Sequence, residues 1–454
     1  MKKREFLKLS SAVLTSVALT PLISCEGKKE VKKEVLKNWA GNLTYSTQNI
    51  HRPKNAAEVK AVVDQCTKLR ALGTQHCFNT IADSEFNLIS TKGLTEIGPI
   101  DEKASTITVG AGIRYGDLCK FLYEKGYALH NLASLPHISV AGACATATHG
   151  SGVTNGNLST GVSGLELVTG TGEVRTLTRT LNPDIFSGTL VNLGALGVVT
   201  KITLDLLPAF DVRQTVYLGL PLTQLENHFD EIMSSGYSVS LFTDWQTDNI
   251  NQVWIKRIAR KNEPFTPEPE FFGARLADRD VHPIIEISAE NCTPQMSVAG
   301  PWYERLPHFK LDFTPSSGEE LQAEYFVPRD KAVEAIKAVT SLRDELRNIL
   351  FITEIRTIDA DELWMSPCYN QKSVAIHFTL KQEFDGVSKF LPHVEEKLAP
   401  FNVRPHWGKL STISPGTLQS RYEKLADFVR LAKEFDPNGK FRNQFLEKGI
   451  LLGS

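Results

Sequence analysis

The sequence predicts an α+β fold that is divided into more than one domain. Short strand-like segments alternate with amphipathic helices in the first half of the chain, which is typical of α/β and α+β proteins. A chain of 454 residues is also too long for one ordinary hydrophobic core. After Pro208 aromatic residues become frequent, and prolines cluster at 264–269. We therefore expect a first domain that closes near Pro208 and a second domain that follows it.

Helices and strands are predicted from the spacing of apolar residues, with period 3.6 for helices and period 2 for strands. Helical spacing is found at 56–69, around Leu118 to Leu122, at 332–350 and at 418–435. Strand-like segments lie at 105–109, 351–358 and 373–380, and 165–177 is typical of a hairpin that turns at Gly170-Thr171-Gly172. This order of elements supports the α+β class.

One segment, Asn131 to Gly152, is unusually poor in large side chains. From Ser139 onward it holds only Ser, Ala, Gly, Cys and Thr apart from Val140 and His149. Its backbone N–H groups and hydroxyls are therefore available to line a phosphate-rich or heteroaromatic ligand. The alternative is a tightly packed strand and turn, in which small residues let neighbouring elements approach. The rest of the chain favours a cofactor.

Composition indicates a soluble globular protein and does not indicate a nucleic-acid partner. The chain is 41% hydrophobic and 22% charged, with a net charge of −2 and no basic stripe interleaved with aromatic residues. Six cysteines follow Cys25 without a CxxC motif or regular spacing. We therefore expect neither a metal site nor a disulfide framework.

The first 25 residues are predicted to be an export signal and not part of the fold. A basic start at 2–4 precedes an apolar run at 9–23, and Leu22-Ile23-Ser24-Cys25 resembles a bacterial lipobox. Cys25 would then be the lipidated first residue, followed by a solvated tether at 26–37. The segment 3–8 resembles a relaxed twin-arginine signal, so both export routes stay open, and an uncleaved membrane anchor is the alternative. We expect an exported, membrane-anchored lipoprotein on the periplasmic side or at the cell surface.

Three strand-like segments place charged and polar side chains on shared faces. Glu354 and Arg356 lie two residues apart and therefore project from the same face of their strand. His377 and Thr379 do the same in the next strand. If His406-Trp407-Gly408-Lys409 is extended, Trp407 and Lys409 point one way and His406 the other. One such pair is more often a buried ion pair or an exposed strand face, but all three together indicate a functional site, since desolvating several charges is costly.

A wall that carries both donors and acceptors suits a polyhydroxylated ligand, since each sugar-like hydroxyl both donates and accepts. Oxidation of an alcohol needs a base for the hydroxyl proton and positive charge near the developing alkoxide. His377 is the candidate base, alone or in a relay with Glu354. Lys409 and Arg356 are the candidate positive charges.

Seven short motifs are distributed between Asn38 and Lys409. They are NWAGN (38–42), GTQHCFN (73–79), ASLPHISVAG (133–142), ATHGSG (147–152), LGALGVVT (193–200), EIRT (354–357) and HWGK (406–409). Together they resemble the FAD-dependent oxidases of the vanillyl-alcohol oxidase or p-cresol methylhydroxylase type. The match is closer to the sugar-alcohol (alditol) oxidases within the aldonolactone oxidase group, and it covers nearly everything from Asn38 to the C-terminus.

The resemblance implies the domain organisation in more detail. It implies a two-part FAD-binding domain of the p-cresol methylhydroxylase type at 38–208. A substrate-binding cap domain with a large antiparallel sheet follows at 209–415. The C-terminal segment, 416–454, returns to the FAD-binding domain.

The resemblance also implies which residues hold FAD and substrate. His76 takes the place of the histidine that is joined covalently to the flavin 8α-methyl carbon, although Gln75 and Cys77 on either side of it differ from the usual family residues. The implied FAD contacts are Ala71, Leu72, Gly73, Thr74, Gln75, His76, Cys77, Ser134, Ser139, Gly142, Thr146, Ala147, Thr148, His149, Val198 and His406. The implied substrate contacts are Ser134, Glu354, Arg356, Thr379 and Lys409, with Glu354, Arg356, His377 and Lys409 as the catalytic set.

The activity that the resemblance implies is oxidation of the terminal hydroxyl of a xylitol- or sorbitol-like alditol to the aldose. Hydride would pass to flavin N5, and O₂ would be reduced to H₂O₂. An aldonolactone oxidase or dehydrogenase that uses a membrane electron acceptor is the alternative, because its cyclic substrate would occupy a similar pocket. A lipoprotein that binds sugars without turnover is a third hypothesis, which the four catalytic candidates disfavour. We expect a monomer that attaches to a membrane only through its lipid.

Overall fold

The chain up to Pro208 builds a small parallel sheet and a five-stranded antiparallel sheet. The computed structural model describes residues 35–260, 263–314 and 316–451. The strands in this part are β1 (Ile50–His51), β2 (Arg70–Leu72), β3 (Leu88–Ser90), β4 (Ile97–Asp101), β5 (Thr106–Gly110), β6 (Tyr127–Ala128), β7 (Val162–Val168), β8 (Val174–Thr178), β9 (Val198–Asp205) and β10 (Leu207–Pro208). Strands in the order β1-β3-β2 pair parallel, those in the order β4-β5-β9-β7-β8 pair antiparallel, and β6 pairs with β10. The predicted hairpin is confirmed by the pairing of β7 with β8.

Helices pack beside these strands. They are α1 (Ala56–Gln65), α2 (Tyr115–Glu124), α3 (Val140–Ala145) and α4 (Pro183–Leu190). Helix α1 begins where the Asn55 side chain accepts a hydrogen bond from the N–H of Glu58, and it buries Val59 and Val63. The predicted extension of this helix to residue 69 is wrong. Cys66 is already in an extended conformation, because the chain turns there to enter β2.

A ten-stranded sheet organises the second half of the chain. Its strands are β11 (Asp211–Pro221), β12 (Ser238–Thr243), β13 (Asn249–Ala259), β14 (Glu270–Phe271), β15 (Ala274–Leu276), β16 (Gly300–Pro301), β17 (Leu321–Pro328), β18 (Leu350–Ile358), β19 (Ser373–Leu380) and β20 (Arg404–Pro405). They lie in the order β14-β15-β11-β13-β12-β18-β19-β17-β20, with β16 beside β11, and the pairings are antiparallel. This is the large antiparallel sheet that the resemblance implies.

Two long helices predicted from the sequence are each divided in the structure. The helices of this half are α5 (Leu222–Met233), α6 (Ala332–Thr340), α7 (Arg343–Leu346), α8 (Phe384–Leu398), α9 (Pro415–Ser420), α10 (Leu425–Phe435) and α11 (Gln444–Gly449). The expected helix at 332–350 breaks after α6, where the hydroxyls of Thr340 and Ser341 hydrogen-bond to carbonyls of the preceding turn. The expected helix at 418–435 breaks between α9 and α10. Helix α9 begins earlier than predicted because Ser414 caps it and Pro415 starts it.

Two large clusters of buried apolar residues correspond to the two halves of the chain. The first consists mainly of residues from Val59 to Val212, with further members between Trp302 and Leu451, and the second collects residues from Tyr217 to Val403. Helices α10 and α11 contribute Phe428, Phe435 and Leu446 to the first cluster, far from it in sequence. The end of the chain is therefore packed with its beginning, while the domain boundaries themselves stay predictions.

The predicted signal peptide with Cys25, and residues 26–34 of the predicted tether, lie outside the described residues. In the described ranges, none of the helices combines the length and the apolar character needed to span a bilayer. Export and lipidation therefore stay predictions.

Candidate active site

The adjacent strands β18, β19 and β17 bring three ionisable side chains into one row. In the antiparallel register Glu354 lies opposite His377, and His377 lies opposite Glu324. Residues directly opposite each other point to the same side of a sheet. Arg356 and Thr379, two positions along their strands, line the same cavity as this row. The two-residue alternation in the sequence thus correctly places Glu354 with Arg356, and His377 with Thr379, on one wall of the cavity.

The segment from His406 to Lys409 forms a turn, so the prediction that it is extended is wrong. The N–H of Lys409 donates to the carbonyl of His406 at 3.0 Å, and the N–H of Gly408 donates to His406 Nδ1 at 3.0 Å. His406 and Lys409 both line the cavity. Trp407 points elsewhere, and its indole N–H donates to the carbonyl of Met365 at 2.6 Å. The turn reverses the predicted facing because a turn does not have the two-residue period of a strand.

Two buried carboxylates are held ionised by the cations around them. Arg356 Nη2 lies 2.6 Å from Glu324 Oε1, and Arg356 Nε lies 3.5 Å from Glu354 Oε1. Burial alone would raise the pKa of both carboxyls, but Arg356 and nearby histidines hold both values well below the usual range. His149 Nε2 is 3.2 Å from Glu324 Oε1. The site therefore keeps negative acceptors deep in the protein.

His377 is a neutral imidazole in this environment. Burial and the charge of Lys409 lower its pKa below the usual 6.5, and Glu324 partly opposes the shift. Its Nδ1 is 3.5 Å from Glu324 Oε2, and its Nε2 is 3.2 Å from Thr379 Oγ1. A neutral imidazole oriented by a carboxylate is able to accept a proton.

Lys409 supplies positive charge at the same end of the cavity. Its Nζ donates to Gln322 Oε1 on β17 and lies 5.4 Å from the centre of the Phe78 ring. Burial lowers its pKa, while Glu324 opposes that shift. Lys409 and Arg356 thus approach the Glu324 carboxylate from the turn and from β18.

The end of the cavity where the cofactor is expected is formed by the loop 71–77 and the small-residue segment, and the turn 406–409 adjoins it. Its predicted cofactor residues that line the cavity are Ala71, Leu72, Gly73, Thr74, Gln75, His76, Cys77, Ser134, Ser139, Gly142, Thr146, Thr148, His149 and His406. Ala147 and Val198 are not among the lining residues, and their contacts with FAD stay predictions. Val198 lies in β9 between Gly197 and Val199, which do line the cavity. Strand alternation turns its side chain to the opposite face.

His76 lies against an aromatic ring at this end. The ring of Trp39 stacks on it with centroids 5.3 Å apart and an interplanar angle of 28°. Burial, followed by the neighbouring His137, Lys409 and Lys92, lowers the pKa of His76 to about 3. His76 is therefore a neutral imidazole at the cavity wall.

Comparisons with known proteins agree with this geometry. The family model for the FAD binding domain matches residues 47–178, and that for D-arabinono-1,4-lactone oxidase matches residues 317–449. The alditol oxidase of Streptomyces sp. (strain IKD472 / FERM P-14339) is 46% identical over 413 residues, which cover 90% of this chain and 97% of the relative. This chain belongs to the alditol oxidase family. It is therefore an FAD-dependent oxidoreductase that acts on CH–OH groups.

Two more distant similarities, one in sequence and one in structure, cover most of the chain. The L-gulono-1,4-lactone dehydrogenase of Mycobacterium tuberculosis is 27% identical over 427 residues, covering 90% of this chain and 98% of the relative. The crystal structure of cholesterol oxidase from B. sterolicum superimposes with a TM-score of 0.73 over 92% of this chain and 96% of that chain, at 17% identity. The superposition on cholesterol oxidase shows a common fold, and this confirms the fold class that the resemblance implies.

The cofactor end of the cavity fits the FAD of this family. A Cβ atom on Gly73 or on Gly142 would lie 2.8 Å from Ser139 Oγ, so both glycines keep the cradle open. Ser139 Oγ is buried and has no hydrogen-bond partner within the described part of the chain. A phosphate oxygen of FAD would satisfy this hydroxyl, which supports the predicted pyrophosphate loop.

Among the polar residues that line the cavity, sequence reasoning missed Gln322, Glu324 and His308, which lie beside the predicted catalytic set. Gln322 and Glu324 on β17 alternate with buried apolar residues as Glu354 and Arg356 do on β18, so the same two-residue period would have found them. His308 lies outside the strands and helices, and its Nε2 is 2.7 Å from Glu354 Oε1. No periodic signal marks such a residue.

Proposed function

We propose that the protein oxidises the terminal hydroxyl of a xylitol- or sorbitol-like alditol to the aldose and passes the electrons to O₂, forming H₂O₂. The observation that carries the proposal is the buried row Glu354, His377 and Glu324 with Arg356 and Lys409 around it. It presents acceptors and donors side by side, which a chain of hydroxyl groups needs. The Streptomyces relative is named an alditol oxidase.

Each side chain has a distinct task in this proposal. His377 accepts the hydroxyl proton as a neutral imidazole, and Glu324 orients it. Arg356 and Lys409 donate to the reacting oxygen and stabilise the negative charge that develops there. Bound FAD supplies the acceptor for the hydride. Apolar walls keep water away from the buried charges, which strengthens every one of these interactions.

The remaining hydroxyls of the polyol would be bound at the edges of the row. Glu354 accepts hydrogen bonds, whereas Ser134 and Thr379 both donate and accept. Ser134 Oγ already lies 3.4 Å from Glu354 Oε2 and 3.2 Å from Arg356 Nη1. These groups would hold the carbinol carbon in place while the proton leaves.

The proposal is tested by the visible spectrum of the purified protein under anaerobic conditions, before and after addition of xylitol. Loss of the flavin band supports polyol oxidation, and H₂O₂ formed after air is admitted supports O₂ as acceptor. A band that is bleached by a sugar 1,4-lactone but by no polyol would overturn the proposal in favour of a lactone oxidase or dehydrogenase. Absence of a flavin band would contradict FAD itself.

We further propose that FAD is attached covalently through His76. A neutral imidazole at the cavity wall, stacked on Trp39, is the form of histidine able to bond to the flavin. His76→Ala is expected to leave FAD extractable by acid, whereas the wild-type precipitate stays yellow. His137→Ala is the matched control, since His137 lies near but does not line the cavity. A yellow acid precipitate from His76→Ala would contradict the link.

Export as a lipoprotein is a separate proposal that rests on the lipobox-like Leu22-Ile23-Ser24-Cys25. In a bacterial host, the wild-type protein should partition into the detergent phase, and Cys25→Ala should partition into the aqueous phase. Equal partitioning of the two would refute lipidation. Gel filtration of the Cys25→Ala form tests the expectation of a monomer, which a dimer-sized peak would refute.

A further inference from the structure

A hydrogen-bonded row of three side chains leads from the interior of the ten-stranded sheet to the candidate substrate site. Lys256 Nζ lies 3.0 Å from His308 Nδ1, and His308 Nε2 lies 2.7 Å from Glu354 Oε1. Lys256 lies on β13 and is fully buried. None of the catalytic tasks proposed above uses Lys256 or His308.

The direction of each hydrogen bond follows from the Glu354 carboxylate. A carboxylate only accepts, so His308 carries its proton on Nε2 and donates it to Glu354 Oε1. In a neutral ring Nδ1 then has no proton, so it accepts from Lys256 Nζ. The same Nζ also lies within hydrogen-bond distance of the carbonyl oxygens of Leu306 and Pro307.

The ring of His308 is also held in place by apolar contacts. It meets Phe242 edge to face with centroids 5.4 Å apart, and it meets Trp254 in the same way at 5.2 Å. Burial lowers the pKa of His308 to about 4, so the ring stays neutral. Because the neutral ring has one tautomer and one orientation, its hydrogen bond from Lys256 fixes the place from which Nε2 donates to the Glu354 carboxylate.

The two oxygens of Glu354 have different surroundings. Oε1 accepts from His308 and lies 3.5 Å from Arg356 Nε. Among the described residues, Oε2 has one hydrogen bond, the 3.4 Å contact from Ser134 Oγ. Glu354 lines the cavity, so Oε2 is the oxygen left with capacity for a ligand hydroxyl.

We propose that Lys256 and His308 are positioning residues that hold Glu354 Oε1, so that Glu354 Oε2 accepts a hydrogen bond from a hydroxyl of the bound polyol. The inference rests on the proposed function, since it names the group that reads one substrate hydroxyl. Lys256 has no carboxylate within 4 Å in the described part of the chain, so its burial is not explained by a direct ion pair. Burial lowers the pKa of Lys256 to about 7, so the link to Glu354 rests on the hydrogen bonds through the imidazole and not on a fixed charge of Lys256.

The first test compares His308→Phe with His308→Gln in the flavin-loaded protein. His308→Phe removes the donor, whereas the amide of His308→Gln retains an N–H near the place of Nε2. Since a hydrogen bond to a charged group is lost, His308→Phe should weaken xylitol binding in anaerobic flavin-reduction titrations roughly tenfold to hundredfold. His308→Gln should restore most of this loss, and flavin content should not change in either variant.

His393→Phe is the matched control, because His393 Nδ1 lies 2.8 Å from Glu345 Oε2 in an exposed pair far from the cavity. It should bind xylitol as the wild type does. The effect of His308→Phe should also disappear in the background of Glu354→Gln, since both act on one carboxylate. Wild-type affinity in His308→Phe, equal losses in His308→Phe and His308→Gln, or additive effects with Glu354→Gln would overturn the proposal.

A second test does not depend on the identity of the substrate. In protein labelled with ¹⁵N-histidine, the NMR spectrum of the holoenzyme should show His308 protonated on Nε2 and unprotonated on Nδ1. Lys256→Met should remove the donor to Nδ1 and shift that nitrogen resonance. A His308 protonated on Nδ1 would overturn the proposal even if the protein oxidises polyols. If no polyol bleaches the wild type, the proposed function and the role of Glu354 Oε2 fail together, and the NMR result still decides separately whether Lys256 and His308 hold Glu354 Oε1.

Discussion

Glu324 is predicted to be the group on which the charge balance of the site depends most. Its carboxylate lies 2.6 Å from Arg356 Nη2, 3.2 Å from His149 Nε2 and 3.5 Å from His377 Nδ1. Glu324→Gln keeps the shape and removes the charge. Arg356 then loses its closest anion, and the pKa of His377 falls further because the carboxylate that opposed its lowering is gone.

The size of the effect follows from the hydrogen bond between Arg356 and Glu324. The amide oxygen of Gln still accepts from Arg356, so the loss is the difference between a hydrogen bond to a charged acceptor, about 1.5–3 kcal/mol, and one to a neutral acceptor, about 0.5–1.5 kcal/mol. A difference of about 1–1.5 kcal/mol corresponds to a roughly 5- to 15-fold slower flavin reduction. The assay is anaerobic stopped-flow reduction of the flavin over a range of xylitol concentrations. It separates the limiting rate from the affinity for the polyol.

The control for general damage is Glu395→Gln. Glu395 is also buried, but it accepts hydrogen bonds from Tyr325, Ser411 and Thr412 away from the cavity. It should lower the melting temperature and leave the limiting rate of flavin reduction within about twofold, since no group it contacts faces the substrate. If Glu324→Gln reduces the flavin as fast as the wild type does, or if both variants are slowed equally, the assignment of Glu324 to the site is refuted.

Two further predictions follow. The rate of flavin reduction should be independent of pH near neutrality and should fall below pH 6.5 as His377 becomes protonated. In Lys409→Met the fall should begin at a higher pH, because a cation that lowers the pKa of His377 is removed. A pH profile that does not shift would argue against His377 as the base. Gly197→Ala should lower the free energy of unfolding by more than about 1 kcal/mol in thermal denaturation, because φ is 149° and its Cβ would lie 2.4 Å from the carbonyl oxygen of Val168. The control is Gly416→Ala, whose Cβ would have open space in helix α9, and it should not lower the free energy of unfolding.

Local sequence patterns were sufficient for several features of the site. The two-residue period of Glu354 with Arg356, and of His377 with Thr379, places each pair on one face whatever the neighbouring strand is. The same argument applied to Gln322 and Glu324 would have extended the wall to β17. The shortage of large side chains after Ser139 predicted a cofactor cradle. In agreement, the Ser139 hydroxyl at the cavity finds no hydrogen-bond partner among the residues that the structure describes.

Errors in the prediction occurred where hydrogen bonds outside a regular period decide the backbone. The expected helix at 332–350 is broken where Thr340 and Ser341 turn their hydroxyls back onto the chain. The expected strand at His406 to Lys409 is a turn closed by a backbone hydrogen bond. Apolar periodicity remains visible across such breaks because the residues on both sides are still buried, so it does not locate them.

The sequence by itself determined the fold class, the family resemblance and the face on which each strand residue lies, because these depend on residues close together in the chain. Only the tertiary structure decided that Glu354, His377 and Glu324 form one row, since strand pairing joins residues that lie far apart in sequence. It also decided that His308, from an irregular segment, links Lys256 to Glu354. The buried apolar clusters on both sides of the sheet fix these distant partners in contact, and that packing has no local signature in the chain.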